Sequence, residues 1–126
     1  MKIKQNFRIR TNSLLLCLAL CLPQVLSANS LRIFSLSADE WARPRSGEVI
    51  PELVSIRAAV SYWDKGIDAL ILIRYPGEDS GELWAAELRD WLISLGVPAD
   101  FIELASGTQE ADEIKLIVGN RDELEQ

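Results

Sequence analysis

Apolar residues from position 31 onward fall into four short clusters and two longer periodic stretches. Residues 31–36, Leu-Arg-Ile-Phe-Ser-Leu, alternate loosely, the pattern of a strand with one covered face. Residues 69–73, Ala-Leu-Ile-Leu-Ile, form an unbroken apolar run between Asp68 and Arg74. Such a run predicts a strand covered on both faces or central in a sheet. Residues 101–104 and 114–118 read as a third and a fourth strand, the last stopping at Gly119 and Asn120. Between them Leu53, Ile56, Val60 and Trp63 recur at helical spacing, with Pro51 suited to a first turn and Gly66 as a stop. Trp84, Leu88, Trp91, Leu92 and Leu95 mark a second, clearer helix, closed by Gly96 and Pro98. In that helix Glu87, Asp90 and Ser94 are expected on the polar face.

Residues 39–48 hold Trp41, Pro44 and Gly47 and read as a loop, and residues 75–81, around Pro76 and Gly77, as a turn. The order is then strand, helix, strand, helix, strand, strand. Alternating strands and helices require a parallel crossover. The expected fold class is α/β (α+β), a two-layer sandwich with two helices on one face of a mixed four-stranded sheet.

The first 28 residues have a different character. Lys2, Lys4, Arg8 and Arg10 precede an apolar stretch from Leu14 to Leu26, and Ser27 and Ala28 follow. A basic start, a short apolar run and small residues make up the order of a secretory signal peptide. The run is shorter than the ~20 residues that span a bilayer core. Cleavage after Ala28 leaves nine basic and 19 acidic side chains, a formal charge of −10, and removes both cysteines, Cys17 and Cys21. The expected organisation is a signal peptide at 1–28, one domain at 29–120 and an acidic, frayed tail at 121–126. A chain this acidic is poorly suited to nucleic acid or to anionic lipid. With no His in the sequence, a Ser-His-Asp triad, a Cys-His pair and His-ligated metals are all excluded.

The order of elements resembles the OmpA-like domain, the peptidoglycan-associated module of bacterial envelope proteins. The pieces that carry the likeness are residues 69–73, Asp79-Ser80-Gly81, residues 85–97 and residues 112–116. The resemblance implies a non-enzymatic fold, a periplasmic or secreted location and a ligand in the peptide stem of peptidoglycan. Asp79 matches the Asp with which that family grips its ligand. The position of the family's Arg in the second helix falls at about Trp84 here.

Candidate contact residues lie mainly in two loops. Trp41, Arg43 and Arg45 form the one concentrated basic and aromatic segment of an acidic chain, suited to carboxylates or to an acidic partner patch. In the blander alternative, Trp41 packs on the sheet and the arginines pair with Asp39 or Glu48. Arg74 and Tyr75 stand at the C-terminal end of the apolar strand, where open α/β sheets bind ligands. Glu78, Asp79 and Glu82 read either as a cation site or as a capping box, with Asp79 or Ser80 as the cap. Trp63, Trp84 and Trp91 are expected in the core. No catalytic residue, metal or cofactor is expected, although a carboxylate pair would be the chemistry of a hydrolase. The function that follows is an exported binding or scaffolding protein whose partner is an envelope protein or peptidoglycan. Fractionation with intact-mass measurement tests the export step: the exported form should begin at Asn29, and an intact precursor in the inner membrane would exclude cleavage.

Overall fold

The structure is a computed structural model, and residues 31–126 are described. The proposed signal peptide lies outside the described residues. No helix among the described residues is long and apolar enough to cross a membrane.

Four strands form one sheet: β1 (Arg32–Ser37), β2 (Ala69–Tyr75), β3 (Ile102–Ser106) and β4 (Glu113–Asn120). Their order across the sheet is β1-β4-β2-β3. β4 runs antiparallel to both β1 and β2, with Ile33 opposite Ile117 and Leu72 opposite Ile117. β2 and β3 are parallel, with Ile73 opposite Leu104. The expected mixed four-stranded sheet is therefore present, and β2 lies inside it between β4 and β3.

Side chains alternate across a strand. Leu36, Ala69, Ile71, Ile73, Ile102, Ile114, Leu116 and Val118 point to one face and join the core. Two helices cover that face: α2 (Val54–Lys65) and α3 (Asp79–Ser94). α2 places Ile56 and Ala59 in the core, and α3 places Ala85, Leu88 and Leu92 there. On the second face Leu70, Leu72 and Ile117 are also buried. Burial of all five residues from Ala69 to Ile73 explains why this strand reads as a continuous run.

The helix ends depart from expectation in instructive ways. The first helix does not begin at Pro51. A 3₁₀ turn, Ile50–Glu52, holds Pro51 in its first positions, and extended backbone at Leu53 separates it from α2. Residues 39–48 are not wholly loop, because Ala38–Trp41 forms a one-turn helix, α1. Ser37 and Glu40 make a capping box there: Ser37 Oγ accepts from the Glu40 N–H, and Glu40 accepts from the Ser37 N–H. The tail is not frayed either. Arg121–Leu124 forms α4, capped by Asn120 and Glu123. Arg121 donates to Glu103 of β3 at 2.6 Å, which ties α4 to the sheet.

α3 does end where the glycine predicts. Val97 donates to the Leu92 carbonyl and Gly96 to that of Ile93, with Gly96 at φ +104°. This is a Schellman turn, and the buried Val97 supplies its apolar contact. At the other end Gly81 is buried against Pro76. A Cβ there would overlap the Pro76 carbonyl oxygen.

Two substitutions test this packing. Leu88→Ala, at a fully buried position, should cost about 2–5 kcal/mol in a urea unfolding curve. Gly81→Ala should destabilise despite the better helix propensity of Ala, because backbone must move to admit the methyl; unchanged stability would show that the 75–81 turn is free to shift.

Candidate functional site

The first turns of α3 and the segment after α1 meet at the ends where β1 and β2 finish. Trp41 is 7% exposed. Its ring stacks on Trp84 of α3, with centroids 6.2 Å apart and planes at 25°. The Arg45 guanidinium lies 5.0 Å from the centroid of the Trp41 ring, on its face, within the range of a cation–π contact. Arg45 Nε donates to Glu87 Oε1 at 2.7 Å, and Arg45 Nη1 to the Trp41 carbonyl at 2.7 Å. One guanidinium thus closes the loop on itself and pins it to α3.

This geometry settles what Arg45 pairs with. The partner is Glu87, 42 residues away in sequence, and not Asp39 or Glu48. Glu87 is not on a face turned away from the protein. It lies one turn beyond Trp84, where the loop reaches it. The pair remains partly wet, with the two side chains 34% and 42% exposed. Surface ion pairs of this kind contribute about 0–1 kcal/mol, so the aromatic stack carries more of the attachment. The Trp84 Nε1 is buried and has no hydrogen-bond partner among the described residues.

The other residues named from the sequence divide between two faces. Arg43 is exposed, with no ion pair among the described residues. Tyr75 packs against the core, and its carbonyl accepts from the Gly107 and Thr108 N–H groups. Arg74 is the cross-strand neighbour of Lys115 and points to the opposite face of the sheet from Tyr75. It is therefore not brought to Trp41, Arg43 and Arg45. Asp79 is exposed in the first turn of α3.

The capping box expected at Asp79 or Ser80 is absent. Glu78 is the N-cap residue, with no side-chain capping bond; its carbonyl accepts from the Gly81 and Glu82 N–H groups. Asp79 and Glu82 still place negative charge at the positive end of the helix. No group of three potential metal ligands occurs among the described residues.

The expectation that Trp63, Trp84 and Trp91 are core holds in a softened form. All three are partly buried and pack against the core. Trp63 donates from Nε1 to the Ala69 carbonyl at 2.9 Å and meets Phe101 edge-on. The sequence reading missed Leu83, which is 72% exposed beside Trp84. The signal was available: Leu83 is an apolar side chain off the stripe of Trp84, Leu88 and Leu92.

Several clefts lie elsewhere. One of about 490 Å³ opens between α2 and the end of α3, at Val60, Trp63, Asp64 and Leu95. Another of about 610 Å³ is lined by Asp68, Leu70, Asp100, Phe101 and Arg121. Neither is lined by a residue named from the sequence as a candidate contact. Among the described residues, Glu110 is the carboxylate whose pKa departs from its ordinary value. A hydrogen bond from Lys115, aided by one from its own backbone and by the Lys115 charge, holds its pKa below the usual carboxylate range. The small stabilisation from that pair is present at neutral pH and is lost as the pH falls through the lowered value of the folded state.

No protein-family model matches the chain, and neither a curated protein nor a solved structure shows significant similarity to it.

A double-mutant cycle on Arg45→Ala and Glu87→Ala should give a coupling of about 0.2–1 kcal/mol. Arg45→Ala alone should cost more than the coupling, because the contact with Trp41 is lost as well, and it should alter tryptophan fluorescence. A single-mutant cost no larger than the coupling would assign the loop's attachment to the ion pair.

Proposed function

We propose that the chain is an exported, non-enzymatic binding module of the bacterial cell envelope. In this reading its contact surface is the 41–45 loop set against the first turns of α3. The observation that supports it is the Trp41–Trp84 stack clasped by Arg45. A loop fixed in this way loses little conformational entropy when a partner docks. Beside it stand an unpaired cation, Arg43, and an apolar side chain, Leu83, open to solvent. The exposed guanidinium of Arg43 and the exposed Leu83, held on a frame fixed by the buried Trp41, make a surface for an acidic protein segment. The exposed part of the 75–81 turn borders the same end of α3.

The resemblance to the OmpA-like domain supports a second reading, in which Asp79 binds the peptide stem of peptidoglycan. Asp79 is exposed, and among the described residues no hydrogen bond or ion pair occupies its side chain. Arg45 cannot serve as the displaced arginine without leaving Glu87, and Arg74 faces the other side of the sheet. Arg43 is the arginine left for that role.

A photo-crosslinking residue at position 83, in cells expressing the full chain, distinguishes these readings. The first predicts a discrete protein adduct from position 83, absent from a control at Ser94 and weakened at least about fivefold by Arg43→Glu. Equal adducts at both positions, or none, would sink it. Co-sedimentation with purified peptidoglycan, abolished by Asp79→Ala, would instead establish the second.

A further inference from the structure

β1 ends the sheet on one side, and no described strand pairs with its outer edge. The direction of its hydrogen bonds identifies the free groups. The Ala38 N–H donates to the Asp112 carbonyl at 2.8 Å, so the even positions of β1 face β4. The N–H and C=O of Ile33 and Ser35 therefore point outward. The Ser37 N–H also points outward, but Glu40 takes it. Edges of this kind are normally blunted by proline, by a bulge or by several charges. β1 has unbroken register with β4 from Arg32 to Ser37, no proline, and Arg32 as its sole charge.

Apolar surface adjoins this edge. Ile33 is 56% exposed, and Val54, at the start of α2, is 67% exposed. A groove of about 350 Å³ runs between β1 and α2, lined by Ile33, Phe34, Ser35, Val54, Ser55 and Ala58, with the Glu40 carboxylate at its side. Ser55 is more than nine-tenths buried in its wall, and its Oγ has no hydrogen-bond partner among the described residues.

The charges along the strand point to an occupant. Arg32 stands at one end of β1, its guanidinium over the Tyr62 ring; Asp39 and Glu40 open α1 just beyond the other, where Glu40 is held by Ser37 and Asp39 is, among the described residues, the acid of this pair left open. We infer that β1 pairs antiparallel with β1 of a second copy of this chain, joining two sheets into one. A twofold axis at Ser35 sets Ser35 opposite Ser35 of the second copy, and Ile33 opposite its Ser37. Phe34 then faces Leu36, and Arg32 faces Ala38 beside the acidic turn of α1. Parallel pairing would set Arg32 beside Arg32 and lose this complementarity. An isologous contact repeats each favourable pair by symmetry. The contact uses neither Leu83 nor the 41–45 loop, so it stands apart from the proposed binding surface.

The test is sedimentation of the full chain, as cells process it, over a concentration series. A contact this small should dimerise with a dissociation constant on the order of tens of micromolar. Ser35→Pro removes an outward N–H without touching the ladder to β4, and it should give a monomer with unchanged circular dichroism. Arg32→Glu should raise the dissociation constant about tenfold, and adding Asp39→Arg should recover most of that loss. Arg32→Glu also decides the matter if Ser35→Pro does not fold. A monomer up to about 200 μM would overturn the inference and leave the edge to an extended segment of another protein. A dimer indifferent to Arg32→Glu would overturn it as well.

Discussion

Burial of β2 on both faces is the constraint on which the rest of the structure depends. Its core side chains, Ala69, Ile71 and Ile73, need a cover of helices, which α2 and α3 supply. Its other face, Leu70 and Leu72, needs a second cover. α4 packs against β2 and β4, and its Arg121 is held by Glu103 of the neighbouring strand. The backbone of β2 is satisfied from both sides, antiparallel by β4 and parallel by β3. A parallel neighbour requires a crossover, and α3 is that crossover. The position of α3 then fixes where Trp84 and Glu87 stand, and so where the loop carrying Trp41 and Arg45 is held.

Much of this architecture is legible in the sequence because each element has its own period. The run at 69–73 marked a buried strand, and Trp84, Leu88 and Leu92 marked the long helix. What the sequence did not show are features set by partners far apart along the chain. Nothing local to Arg45 identifies Glu87 as its partner. The polar period of α3 by itself predicts Glu87 in solvent, because the period carries no trace of the loop that lies across it. The short helices were missed for another reason. α1 and α4 have only four residues each, too few to show a period, and their signal is a capping pair: Ser37 with Glu40, Asn120 with Glu123. The capping box was instead expected at Asp79 or Ser80, where Gly81 must press against Pro76 and the chain enters the helix from Glu78.

The candidate site was legible in its parts but not as a whole. Trp41, Arg43 and Arg45 stood out as a basic, aromatic segment in an acidic chain, and that segment does form a defined structure. Arg74 stood out for its place at a strand end, yet strand alternation turns it to the far side of the sheet. Tyr75 was named as a contact residue, and it is tied into the core and into the turn at Gly107. Leu83 is legible only as an apolar residue lying off the stripe of Trp84, Leu88 and Leu92.

The direction of the strands gives the molecule two poles. β1 and β2 run the same way, each antiparallel to β4. Leu31, where the described chain enters, lies against Gly119, close to α4. The Trp41 loop and the start of α3 lie where β1 and β2 finish. Six or seven residues of strand separate the poles, roughly 20 Å. A partner seated at the aromatic clasp would thus stand a full strand length from α4 and from the point where the described chain enters, so the two ends of the sheet can be engaged without competing.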